Sequence, residues 1–149
     1  MKSIYEQTAM NEILSRINAL PPTAERRWGK MTVDQMLAHC NETMKVVTNQ
    51  KITKRRLLGI LLGPLFKKDY LGEKPLRRNS PTNPLFVITA EHDFVKEKEL
   101  LMTLVKQFSE GGEQKCTKQP HSFFGPFTPQ EWGISTYKHL DHHLQQFGG

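Results

Sequence analysis

Cysteine is scarce in this chain: Cys40 and Cys116 are the only two among 149 residues, and they form no CxxC pair. A chain of this length buries about two-thirds of the surface its unfolded form exposes. A single domain over residues 1–149 therefore needs no covalent staples. Long apolar runs are missing too. The stretch LLGILLGPLF at residues 57–66 is far short of the 20 or so residues a bilayer crossing needs, so no stable membrane insertion is expected. The opening residues MKSIYEQTAMNEIL hold no uninterrupted apolar run leading to a small-residue cleavage site, and the expected compartment is a reducing cytoplasm. There is no P-loop, no glycine-rich dinucleotide fingerprint and no GxSxG, which removes the familiar nucleotide-binding and serine-nucleophile signatures. Strand signals, internal repeats and low-complexity tracts are equally lacking.

Charge is unevenly placed. The net charge is +6, from 21 Lys and Arg against 15 Asp and Glu, and much of the excess lies in residues 51–78. A local basic surface follows, with nucleic acid or anionic lipid as partners it could attract. Aromatic interleaving of the sort that single-stranded nucleic-acid binders use is thin there, with only Phe66 and Tyr70, and no nucleic-acid partner is expected.

The best-marked element is the last, residues 128–147, TPQEWGISTYKHLDHHLQQF. Thr128 suits the N-cap, Pro129 the first helical position, and Glu131 completes a Thr-x-x-Glu capping box. At roughly 100° per residue, Trp132, Thr136, His139, His143 and Phe147 share one narrow arc, with Leu140 and Leu144 beside it. His139 and His143 therefore sit one turn apart on the apolar face, close enough to share one ion. His142 lies on the flank of that arc and is expected to face water. Asp141 points nearly opposite and reads as a solvent-facing partner of a lysine.

Three further helices are legible. Residues 3–20 form an amphipathic helix with Ile4, Met10, Ile13, Leu14 and Ile17 as its stripe, stopped by Pro21-Pro22. Tyr5 reads as ordinary surface there, and Trp28 in the connector as a core anchor. Thr32 and Gln35 form a second capping box, opening a helix to about residue 49 with Met36, Cys40, Met44 and Val47 inward. Cys40 reads as a small apolar filler. His39 falls toward the edge of that stripe, where a lone histidine is usually a hydrogen-bonded structural residue. Asp93 caps a helix to about residue 109, with Phe94, Leu101, Leu104, Val105 and Phe108 on its apolar face and Gly111-Gly112 as its stop. His92, at its ambiguous start, is expected to be exposed.

Between the second and third of these helices, Gly59, Gly63 and Pro64 are expected to interrupt any continuous helix. Residues 50–83 then read as a long crossover packed over a pocket mouth or a dimer partner, in preference to an interfacial element resting on anionic membrane or a mobile lid, since no continuous helix is left to lie flat on lipid. The pattern predicts an all-α fold: a four-helix bundle whose core can hold a site. The loop 113–127 carries His121 and a cluster of Phe123, Phe124 and Phe127 into the last helix. His121 is the candidate acid or base.

The segments WGKMTVDQMLAHC and HSFFGPFTPQEWGISTYKHLDHHLQQFG resemble the DinB-like (YfiT-related) superfamily, in a branch that ends in a KHLDHHLxQFG-type motif. The resemblance runs over most of the chain. It implies a DinB/YfiT-like four-helix bundle, often a homodimer, with a divalent metal held by His39 of the second helix and by His139 and His143 of the last. Zinc or nickel is the expected ion, and iron or manganese would also accept imidazole. Three imidazoles leave a coordination position open, as in catalytic zinc sites. Characterised relatives in the superfamily include enzymes that use low-molecular-weight thiols, so the resemblance implies a metal-dependent hydrolase or thiol S-transferase acting on a small molecule. The alternative is a non-catalytic helical module that uses the basic 51–78 crossover to contact a membrane surface or a protein partner.

Overall fold

The computed structural model describes residues 1–149 and is all-helical, with five α-helices and no strand. The helices are α1 (Gln7–Ala19), α2 (Val33–Val47), α3 (Leu57–Leu71), α4 (Phe94–Gly111) and α5 (Pro129–Gln146). Single turns of 3₁₀ helix at Pro84–Phe86 and Glu113–Lys115 punctuate the connections.

The capping signals act where they were expected. Thr128 Oγ1 accepts from the Glu131 amide at 3.2 Å and Glu131 Oε2 accepts from the Thr128 amide at 2.8 Å, so two otherwise orphaned donors are satisfied. Gln35 Oε1 accepts from the Thr32 amide at 3.0 Å, and Asp93 Oδ1 accepts from Lys96 at 3.1 Å. With their starts fixed, the helices turn their stripes into one core. It contains Ile13 and Ile17 of α1, Met36, Cys40 and Met44 of α2, Leu101 and Leu104 of α4, and Leu140 and Leu144 of α5. α2 packs along α4, α1 lies against α4 and α5, and α2 also meets α5. That last contact positions the site.

The crossover departs from expectation, because residues 57–71 run as a continuous helix through Gly59, Gly63 and Pro64. Pro64 is tolerated because it is exposed, so the carbonyl of Ile60, which loses its amide partner, lies where water can reach it. The glycines turn inward, and a Cβ on Gly63 would lie 2.0 Å from the Phe123 carbonyl oxygen. Backbone thus meets backbone. Polar ties hold both ends of α3. The Arg56 amide donates to Ser122 O at 3.1 Å, Lys67 Nζ donates to Glu131 Oε2 at 2.8 Å, and Lys138 Nζ donates to the carbonyls of Tyr70, Gly72 and Lys74.

Several side chains also sit differently from their sequence reading. Trp28 is half-buried outside the core, with the Arg78 guanidinium 4.2 Å from its ring centroid, because the connector passes over the surface. Tyr5 packs against the core, with its ring 5.1 Å from that of Phe108. His92 is half-buried and bonded through Nδ1 to Glu97 Oε1 at 2.9 Å. Asp141 pairs with an arginine rather than a lysine, accepting from Arg16 Nη1 at 2.7 Å and so tying α1 to α5.

The glycine contact yields a test with a definite sign. Helix propensity alone makes Gly63→Ala stabilising by about 1 kcal/mol, whereas the clash with Phe123 makes it destabilising by about 2 kcal/mol. Urea denaturation distinguishes the two, and an unchanged or raised midpoint would refute the packing described.

Candidate metal centre

His39 reaches the site from α2 because the register that sends Met36 and Cys40 into the core leaves His39, one residue before Cys40, at the edge facing α5. On α5, His139 and His143 project from successive turns toward that edge. The three rings form a triangle with centroids 5.1, 4.7 and 4.7 Å apart, and one ring nitrogen from each lies within 4.8 Å of the other two. His39 and His143 are buried and His139 is half-buried. The Nε2 atoms of His39 and His139 are 3.1 Å apart. Two nitrogens on one tetrahedral zinc at its usual bond length lie roughly 3.3 Å apart, so this pair stands close to the spacing a shared ion imposes.

The outer nitrogens of two rings are already engaged. His39 Nδ1 donates to the Phe86 carbonyl at 2.8 Å, which leaves Nε2 as the free lone pair. His143 Nδ1 donates to Gln146 Oε1 at 2.9 Å, and Gln146 Nε2 donates in turn to Trp28 O at 2.8 Å. The second bond fixes which way the amide points, and therefore which nitrogen of His143 carries the proton. Burial lowers the pKa of His39 and takes that of His143 down to about 3. It lowers that of His139 well below the ordinary range, with the neighbouring imidazoles adding to the effect. All three rings are therefore neutral at pH 7, the form a metal requires. No carboxylate joins the group.

A cavity of about 70 Å³ opens beside His139, lined by Tyr70, His121, Trp132, Ser135 and Thr136 among others. His121, the candidate acid or base, is thus placed next to the trio. Its Nδ1 accepts from the amides of Phe123 and Phe124 at 3.1 and 3.2 Å, which puts the proton on Nε2. Burial lowers its pKa to about 4, so near pH 7 it is a neutral donor rather than a base. The indole N–H of Trp132 is buried with no acceptor in the protein, and the Tyr70 hydroxyl lies 3.0 Å from Ser135 Oγ.

Other candidates stand apart. Asp141 is committed to Arg16. His142 packs 5.5 Å from the Trp28 ring instead of facing water alone. Cys40 is buried and its thiol pKa is pushed up by burial, which fits an apolar filler. Sequence reasoning missed Gln146, Phe86, Tyr70 and Trp132 as parts of the site. Gln146 had a signal, since it lies three residues after His143 on the same helix face; a backbone carbonyl such as that of Phe86 leaves none.

These buried rings set a pH dependence. In the unfolded chain imidazole titrates near 6.5, whereas in the folded chain His121 and His143 take up protons only near 4 and 3. Between those values the unfolded chain binds more protons, so stability rises with pH up to about 6.5 and then levels off. For metal-free protein the urea midpoint should fall as pH drops from about 7.5 to about 5, less steeply in His121→Asn. A flat profile would show that the rings are not buried as neutral groups.

No curated protein and no solved structure matches the chain. A family model described as a protein of unknown function, DUF1569, matches residues 2–148. With nearly every residue covered, the chain belongs to the DUF1569 family.

Proposed function

We propose that this protein is a divalent-metal-dependent enzyme of DinB-like type, a hydrolase or thiol S-transferase that acts on a small molecule. In this reading α1, α2, α4 and α5 are the four helices of the bundle and α3 is an addition within its crossover. The observation that carries it is the convergence of His39, His139 and His143 with the outer nitrogens of His39 and His143 already hydrogen-bonded.

The donor set fits zinc or nickel best: three imidazoles, no thiolate and no carboxylate. Held by three protein ligands, such an ion supplies a Lewis acid with a position open for water, a thiol or a carbonyl oxygen. The chain's own groups then select and orient the substrate. The cavity beside His139 is lined by His121 and Trp132 among others, His121 carries its proton on Nε2, and no Lys, Arg, Asp or Glu lines it. Such a lining favours a small molecule with an oxygen acceptor, held by the His121 N–H while the aromatic walls exclude water. His121 polarises that oxygen as a neutral donor, since its Nδ1 is occupied by the two backbone amides.

Metal analysis of protein purified without a histidine tag provides the test. Wild type should retain a divalent ion, and His39→Ala and His143→Ala should each lose it. Gln146→Leu, which removes only the support for His143, should weaken affinity by roughly 10- to 100-fold. Equal metal content in wild type and both alanine variants would dismiss the site.

A further inference from the structure

Helix α3 is built inside out. Its buried positions are Gly59, Gly63 and Leu71, whereas Leu57, Leu61 and Leu65 are 82%, 74% and 73% exposed. Leu58, Ile60 and Phe66 extend the bare patch, and Ile52 stands just upstream of it. Ordinarily a helix turns such residues inward, and a contiguous apolar surface of this kind marks a place where something binds.

The rim of the patch says what. Lys54, Arg56 and Lys68 are exposed around it, while Lys67 is committed to Glu131. Residues 51–78 hold nine Lys and Arg against two Asp and Glu, so the whole +6 of the chain originates here. No acidic residue stands in the first turn of α3 to offset the positive end of the helix. Against a second copy of the chain, a two-fold contact would press two net-positive faces together. Against an anionic sheet of phospholipid headgroups the same charges attract, at about fivefold in affinity for each cation. The helix has 15 residues and is about 22 Å long, too short to cross a bilayer, and no helix of the protein is long and apolar enough to do so. Lying flat, its leucines reach the acyl boundary while the lysines and arginine stay among the phosphates.

We propose that the outer face of α3, residues Leu57, Leu58, Leu61 and Leu65 rimmed by Lys54, Arg56 and Lys68, docks this protein on an anionic phospholipid membrane. Its inner face meanwhile contributes Tyr70 to the cavity beside His139. The docking does not depend on the metal reading, because none of these surface residues touches the histidines.

Flotation with vesicles of phosphatidylcholine alone, or mixed equally with phosphatidylglycerol, tests the proposal. Wild type should float with the mixed vesicles and not with phosphatidylcholine alone, and should release as salt is raised. Combining Lys54→Gln, Arg56→Gln and Lys68→Gln should weaken binding about a hundredfold, and Leu61→Ser with Leu65→Ser should abolish it. All variants should keep wild-type circular dichroism. Failure of wild type to float with anionic vesicles would overturn the proposal, as would undiminished flotation of the leucine variant. So would sedimentation showing a wild-type dimer that the leucine variant breaks, which would assign the face to a second copy.

Discussion

Three imidazoles are withdrawn from water at the line where α2 meets α5, with no carboxylate to accompany them. Everything around that line can be understood as a response to the constraint. A buried ring nitrogen without a partner costs free energy, so the Nδ1 atoms of His39 and His143 are given the Phe86 carbonyl and the Gln146 amide. The Nε2 atom of His39 is left facing that of His139 at 3.1 Å, a contact that a proton on the His139 ring or a cation between the two rings satisfies. The outer nitrogens of His39 and His143 are thus satisfied within the chain, and their inner nitrogens are left for a proton or a cation.

The second departure from ordinary packing is α3, and it has the same kind of explanation. Close approach of α3 to the loop carrying His121 requires backbone against backbone, which only glycine permits at positions 59 and 63. With the inward positions given to glycine, the apolar residues of the segment have nowhere to go but out. The tight turn beneath, where His121 and Gly125 exchange backbone bonds at 2.8 and 3.1 Å, then presents the amides of Phe123 and Phe124 to His121 Nδ1. The loop that the glycines of α3 pack against is thus the same one whose amides set the tautomer of His121.

Much of this was legible in the sequence, for identifiable reasons. Capping boxes at Thr32 and Thr128 are local, as are the apolar stripes of α1, α2, α4 and α5, and local patterns survive into the fold. The pairing of His139 with His143 is likewise a property of one helix. His39 is not, since its edge position alone reads as structural and only the family resemblance joined it to the pair. α3 was misread because breaker rules describe propensity, and propensity is overridden when glycines are needed for contact and a proline lies on the solvent side. Trp28 was misread because an aromatic residue can shelter under a guanidinium as well as within a core.

Which parts of the chain hold the site then follows. The helices of the core supply the three rings, but the crossover supplies the Phe86 carbonyl that orients His39, and α3 supplies Tyr70 to the cavity wall. Gln35 Nε2 donates to the carbonyls of Thr89 and Ala90 at 3.0 and 3.3 Å, so the first turn of α2 also grips the far end of that crossover. The segment from α3 to Ala90 is thereby fastened to α2 at both His39 and Gln35. A displacement of α3 must be taken up somewhere along this segment. The turn Pro84–Phe86, whose carbonyl sets the His39 ring, lies within it. The carbonyl that sets the His39 ring and the exposed helix thus lie on one stretch of backbone, an arrangement that no reading of separate helices could reveal.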